Sequence, residues 1–137
     1  MDAASALADL TEISSQVEAA VVLDNAGAVV ASTLDDAERS AQLARVALDL
    51  LGAVDKRFEP GGRALTQLEA ALWGGSVFVA RGEGQSIVAT TSPGPTSGLV
   101  FYDLKTCLRS LAELKSEETK PARPKRRSAK TQADADA

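Results

Sequence analysis

The chain has 137 residues, 45% of them hydrophobic and 25% charged, with 15 Lys+Arg against 19 Asp+Glu, one cysteine and no histidine. Such a balance is that of an ordinary soluble domain, and the length suits one core rather than two. Without histidine there can be no Ser-His-Asp triad, no Cys-His pair and no His-based zinc site. A lone Cys107 cannot form an internal disulfide and suits a reducing compartment. The start Met1-Asp2-Ala3-Ala4-Ser5 has no basic or apolar export signal, and no apolar run nears the ~18 to 20 residues that span a bilayer, so the expected location is the cytoplasm.

The net charge of -4 divides into two unlike parts. Residues 1–114 carry 8 basic and 15 acidic side chains, a net of -7, whereas residues 115–137 carry 7 basic and 4 acidic, a net of +3. Beyond Lys115 there is no Leu, Ile, Val, Phe, Tyr, Trp or Met, and Pro121 and Pro124 interrupt the segment. Burial there cannot offset the entropy of ordering, so 115–137 reads as a disordered basic tail on a 1–114 domain.

In chain order, Ala6 to Ser15 spaces Leu7, Leu10 and Ile13 as a short amphipathic helix. Val17 to Asp24 and Ala28 to Ser32 are β-branched runs around Asn25-Ala26-Gly27, a hairpin pattern. Asp35 and Asp36 then suit a helix N-terminus by capping and dipole. From Ala37 to Phe58, Leu43, Val46, Ala47, Leu50, Leu51, Val54 and Phe58 fall on one helical face, the strongest periodic signal in the chain. Ala41, Ala44, Leu48 and Gly52 widen that face past the ~100° stripe of a one-sided helix, which implies two packing partners. Pro60-Gly61-Gly62 ends the segment.

Ala64 to Trp73 fits either a helix, through Leu65, Leu68 and Leu72, or a short strand stopped by Gly74-Gly75. Ser76 to Arg81 and Gln85 to Thr91 form a second hairpin pattern around Gly82-Glu83-Gly84. After the loop Ser92-Pro93-Gly94-Pro95-Thr96, Leu99, Leu104, Leu108, Leu111 and Leu114 support a last helix.

The motifs that could carry chemistry have plainer readings. Gly82-Glu83-Gly84 lacks the third glycine of a dinucleotide fingerprint and opens a strand, and no P-loop occurs. Asp24-Asn25-Ala26-Gly27 lacks the later oxygen ligands of a calcium loop. Asp35 and Asp36 read as a cap rather than an acid-base pair, and Cys107 as a buried small hydrophobe with no base to activate it. Trp73, Phe78, Phe101 and Tyr102 are too scattered to stack bases and are assigned to core or interface. No cofactor or metal set is expected, and no small-molecule substrate.

Val21-Val22-Leu23-Asp24-Asn25-Ala26-Gly27, the Leu43 to Leu51 helix and Gly98-Leu99-Val100-Phe101-Tyr102-Asp103-Leu104, in this succession, resemble the Roadblock/LC7 family over roughly residues 5–114. The resemblance implies an α+β fold of order α-β-β-α-β-β-β-α. Its five-stranded antiparallel sheet carries the long helix on one face and two helices on the other, with Ala64 to Trp73 as the third strand. It also implies a homodimer in which second helices and third strands meet across a two-fold axis, with Ala41, Ala44, Val46, Leu48, Gly52, Leu65 and Gln67 at the interface. Bacterial members resemble non-enzymatic regulators that bind a small Ras-like GTPase and modulate its nucleotide cycle, which makes Arg39, Arg45 and Arg57 candidate GTPase contacts. The alternative is a scaffold or adaptor whose tail, through Lys120, Arg123, Lys125, Arg126, Arg127 and Lys130, tethers it to an anionic membrane or nucleic acid.

Overall fold

A computed structural model describes residues 2–58 and 66–119. The chain runs α1 (Ala3–Ile13), β1 (Val17–Asp24), β2 (Val29–Ser32), α2 (Ala37–Phe58), β3 (Gln67–Leu72), β4 (Gly75–Arg81), β5 (Gln85–Thr91) and α3 (Ser97–Thr119). All strand pairs are antiparallel, in the order β2-β1-β5-β4-β3, so β2 and β3 are the edges of the sheet. This is the α+β architecture expected from the sequence, and it resolves Ala64 to Trp73 in favour of a strand over its described part.

Two cores lie on opposite faces of the sheet. α1 and α3 close one face over Ala20, Val22, Phe78, Ala80, Ile87 and Ala89. α2 closes the other over Val21, Leu23, Val79 and Val88 with Ala44, Ala47 and Leu51. Because β1, β4 and β5 are covered on both faces, they read as unbroken apolar runs rather than alternating ones. Phe78 is fully buried and meets Phe101 of α3 edge to face, with ring centroids 5.0 Å apart at 74°.

The helix ends have local causes. The Ser5 amide donates to Asp2 Oδ1 at 2.9 Å, so α1 starts at Ala3, three residues before the expected Ala6. It stops at Ile13 because Ser14 is already extended. At α2, Asp36 Oδ1 accepts from the amides of Glu38 and Arg39, so Asp36 of the expected Asp35-Asp36 pair is the cap. α3 begins at Ser97 and continues through Thr119, so the domain boundary expected at 114 falls inside a helix. Ser116, Glu117 and Glu118 do not break a helix, and the first residue that does is Pro121.

Two glycines hold the hairpins. Gly27 has φ 91°, and a Cβ there would press on Leu48 Cδ1 of α2. Gly75 has φ 151°, and a Cβ there would run into the Thr91 carbonyl oxygen, so β4 can start beside β5 only on a glycine. The Asp24 loop is a turn: Asp24 Oδ1 accepts from the Ala26 and Ala28 amides, each at 2.9 Å.

Candidate protein-interaction surface

α2 is fixed at both ends to the sheet. Near its N-terminus, Ser40 Oγ lies 2.7 Å from Ser32 Oγ of β2, and Ser32 Oγ accepts from the Leu34 amide. Toward its C-terminus, Arg81 of β4 donates to Asp55 at 2.7 Å, a half-exposed ion pair. Glu38 in the first turn and Lys56 and Arg57 in the last complement the helix dipole.

With the helix so oriented, Ala44, Ala47 and Leu51 face the sheet. Val46 lies about 100° round from Ala47 and is 42% exposed, with Leu43 and Leu50 half-buried beside it. Between this shoulder and the sheet runs a groove of about 260 Å³ lined by Ala19, Leu34, Arg39, Leu43, Val46 and Thr90. On the same face of the sheet, Leu68, Ala70 and Val77 are half-buried and Leu72 is 65% exposed. α2 covers β1, β5 and the Val79 part of β4 on this face, and Leu68 and Val77 pack at the margin of that core, which leaves the Leu72 end of β3 exposed.

The residues expected at an interface divide accordingly. Ala41, Val46 and Gly52 are exposed on α2, and Gln67 is half-buried on β3. Ala44 is a correction: at 2% exposure it is shut into the chain's own core and has no surface to offer a second copy. Leu48 is partly buried against the same core and against Gly27, which divides it between fold and surface. Leu65 lies outside the described residues, as do Lys120, Arg123, Lys125, Arg126, Arg127 and Lys130.

Arg39, Arg45 and Arg57 are all exposed but form no single cluster. Arg39 and Arg57 share an azimuth yet are five turns and about 27 Å apart, and Arg45 points about 120° away. Only Arg39 lines the α2 groove.

Trp73 and Tyr102, assigned to core or interface by the sequence, are 100% and 64% exposed, while Phe78 is in the core. Trp73 stands at the β3–β4 turn beside Leu72, and the only sequence signal for it is an apolar pair placed directly before Gly74-Gly75. Sequence reading also missed a cleft of about 290 Å³ between α1 and α3, lined by Asp9, Leu10, Ile13, Tyr102, Asp103 and Cys107 among others.

Cys107 is buried, its thiol directed to the Ala6 carbonyl at 3.7 Å. Burial, with a smaller contribution from the Asp9 carboxylate, pushes the thiol from 9.0 up to about 11. The neutral thiol is therefore the folded form, and its contribution to stability is complete below pH 9.0 and lost as pH rises through about 11. Folded protein is expected to resist an aromatic disulfide reagent at pH 8 and to react on unfolding. Fast labelling of native protein would contradict this environment. Among the described residues, no group of three or more His, Cys, Asp and Glu could hold a metal, and no helix is long and apolar enough to cross a membrane.

Comparison with known proteins agrees with this architecture. The model of the Roadblock/LC7 domain matches residues 4–91, from α1 to the end of β5. Among solved structures, a Roadblock/LC7 domain from Streptomyces avermitilis superposes with a TM-score of 0.73 at 18% identity, covering 84% of this chain and 98% of that one. MglB of Myxococcus xanthus gives 0.73 at 14% identity, covering 88% and 92%. The gliding protein MglB of Thermus thermophilus gives 0.70 at 17% identity, covering 84% and 89%. At these identities the structural likeness is one of fold. No protein with a curated description matches in sequence. The family match spans well over half of the chain, including every strand of the sheet, and the chain belongs to the Roadblock/LC7 domain family.

Proposed function

We propose that this protein is a homodimeric, non-catalytic regulator that binds a small Ras-like GTPase in the cytoplasm and modulates its nucleotide cycle. The observation that carries the reading is the apolar surface shared by α2 and β3. Val46 on the helix and Leu72 on the strand are exposed on one face, and Leu43 and Leu50 beside Val46 are only half-buried. A single domain of this size has little reason to expose such a stripe, and an isologous contact covers it twice over with one set of residues. The resemblance to bacterial Roadblock/LC7 regulators supports a small GTPase as the partner, and the absence of histidine supports regulation by contact rather than by chemistry.

The test is capture of Ras-like GTPases loaded with either GDP or a non-hydrolysable GTP analogue. One nucleotide state is expected to bind, and Arg39→Ala to weaken binding about tenfold, because Arg39 borders the α2 groove. Equal binding of both states, or none, would remove the regulatory reading. The adaptor reading rests on the basic composition of the tail. Since α3 continues through Thr119, the deletion that tests it starts at Lys120. Loss of salt-sensitive binding to anionic vesicles or DNA on that deletion, with GTPase capture unchanged, would favour the adaptor for the tail alone.

A further inference from the structure

The face of the sheet opposite α2 is covered by two helices that run antiparallel, with the Cys107 thiol of α3 at the Ala6 carbonyl of α1 and the Ile13 end of α1 near Tyr102. Helical spacing puts Asp9, Leu10 and Ile13 on one flank of α1. Across the cleft of about 290 Å³ they meet Tyr102, Asp103 and Thr106 of α3. Ala6 and Ile13 both line it, so it runs about 10 Å along the helices, close to two turns. Its wall is mostly apolar, with the exposed Ile13 and Tyr102 at one end, and both of its charged side chains are carboxylates. Lys105 and Arg109 of the same helix line a different hollow, beside the β4–β5 turn. The Thr106 hydroxyl is taken up by the Tyr102 carbonyl at 2.9 Å. Asp103 is 7% exposed, and among the described residues no hydrogen bond or ion pair reaches its carboxylate. A desolvated carboxylate without a donor is unfavourable, and a cation seated in the cleft satisfies it.

We propose that this cleft docks a cationic amphipathic helix of a partner protein. Aliphatic side chains of that helix sit against Leu10, Ile13 and Tyr102, and an arginine or lysine meets Asp103 and Asp9. A groove between two antiparallel helices accepts a third along its length, and apolar anchors one turn apart suit a groove two turns long. The sign of the charge follows from the two carboxylates, because an acidic helix would add a third uncompensated charge to a partly desolvated site. Other occupants match the cleft less well. A second copy meeting it by two-fold symmetry would bring Asp9 and Asp103 against the same pair. The segment beyond Lys115 has the basic charge but no Leu, Ile, Val, Phe, Tyr, Trp or Met to fill an apolar wall. Since the cleft and α2 lie on opposite faces of the sheet, this docking stands apart from the homodimer and GTPase readings, and the two surfaces can be occupied together.

Tyr102 is the chain's single tyrosine, so a fluorinated tyrosine incorporated into the full chain gives one fluorine resonance, at the cleft. The probe is a helical peptide of about 15 residues with leucines on one face and arginines beside them, set against the same peptide with glutamates in place of the arginines. The arginine peptide is expected to move the resonance saturably and the glutamate peptide to leave it in place. Asp103→Asn keeps the shape of the side chain and is expected to weaken binding about tenfold, through loss of a charge-assisted hydrogen bond. Ile13→Ser, at an exposed position, is expected to weaken it about fivefold. Circular dichroism checks the fold of each variant, and Asp9→Asn, also at an exposed position, removes a cleft charge without touching the core. Equal shifts with both peptides, no shift with the arginine peptide at millimolar concentration, or wild-type affinity in all three variants overturns the proposal. A shift with hexylammonium but none with the arginine peptide overturns it too, and makes the cleft a pocket for small cations.

Discussion

Phe78→Ala is expected to cost about 3 to 5 kcal/mol of folding stability, the range for emptying a buried aromatic site. Against a typical total of about 5 to 15 kcal/mol, that is a large fraction. Phe78 is fully buried at the middle of β4, between Ala89 of β5 and Glu69 of β3 in the ladder, and its ring abuts Phe101 of α3. Ala20, Ala80 and Ala89 in the same core end at a methyl group and cannot reach into the space the ring leaves. The edge-to-face contact adds roughly 0.5 to 1.5 kcal/mol beyond area alone. Phe78→Leu is expected to recover about half of the loss. Urea unfolding of the three proteins checks this, with an unchanged slope and a midpoint falling in the order wild type, Leu, Ala. A Phe78→Ala midpoint within experimental scatter of wild type would mean that α1 and α3 are held to the sheet by something other than this core.

Much of that core was legible in the sequence, for a physical reason. β1 and β5 are buried on both faces, so Ala20 to Leu23 and Ile87 to Ala89 are unbroken apolar runs flanked by turn residues, and a run of that length has few other places to go. β3 was not legible, because it is an edge strand. Its Leu68, Ala70 and Leu72 alternate with Glu69 and Ala71 only over a short stretch, and Leu65, Leu68 and Leu72 imitate a helical period. The family resemblance, rather than periodicity, identified it. The breadth of the apolar arc on α2 was readable too, but not its direction. Ala41 and Ala44 look equivalent in the sequence, and three residues of helical rotation send one to solvent and the other into the core. The Arg81–Asp55 pair and the Ser32–Ser40 contact tie the two ends of the helix to the sheet, and their partners come from different elements and leave no local pattern.

That direction decides which substitution separates association from folding. Val46→Asp places a charge at an exposed helical position, where in the isolated chain the change costs only a few tenths of a kcal/mol in helix propensity. In the proposed dimer the same residue is covered. An isologous contact then buries two unpaired carboxylates, at a cost of several kcal/mol. Each 1.4 kcal/mol is a factor of ten, so Kd is expected to rise by at least about a hundredfold. Sedimentation at micromolar concentration should show a monomer whose circular dichroism matches wild type. Its melting temperature should fall by mass action alone and become insensitive to concentration. Leu48→Asp is the contrasting variant. Leu48 packs on the α2 core and closes on Gly27, so its carboxylate would be desolvated in the monomer as well, and the spectrum itself should change. If Val46→Asp stays dimeric, the copies do not meet through this shoulder of α2. If it becomes monomeric yet still captures the GTPase, the partner reads one protomer rather than the pair.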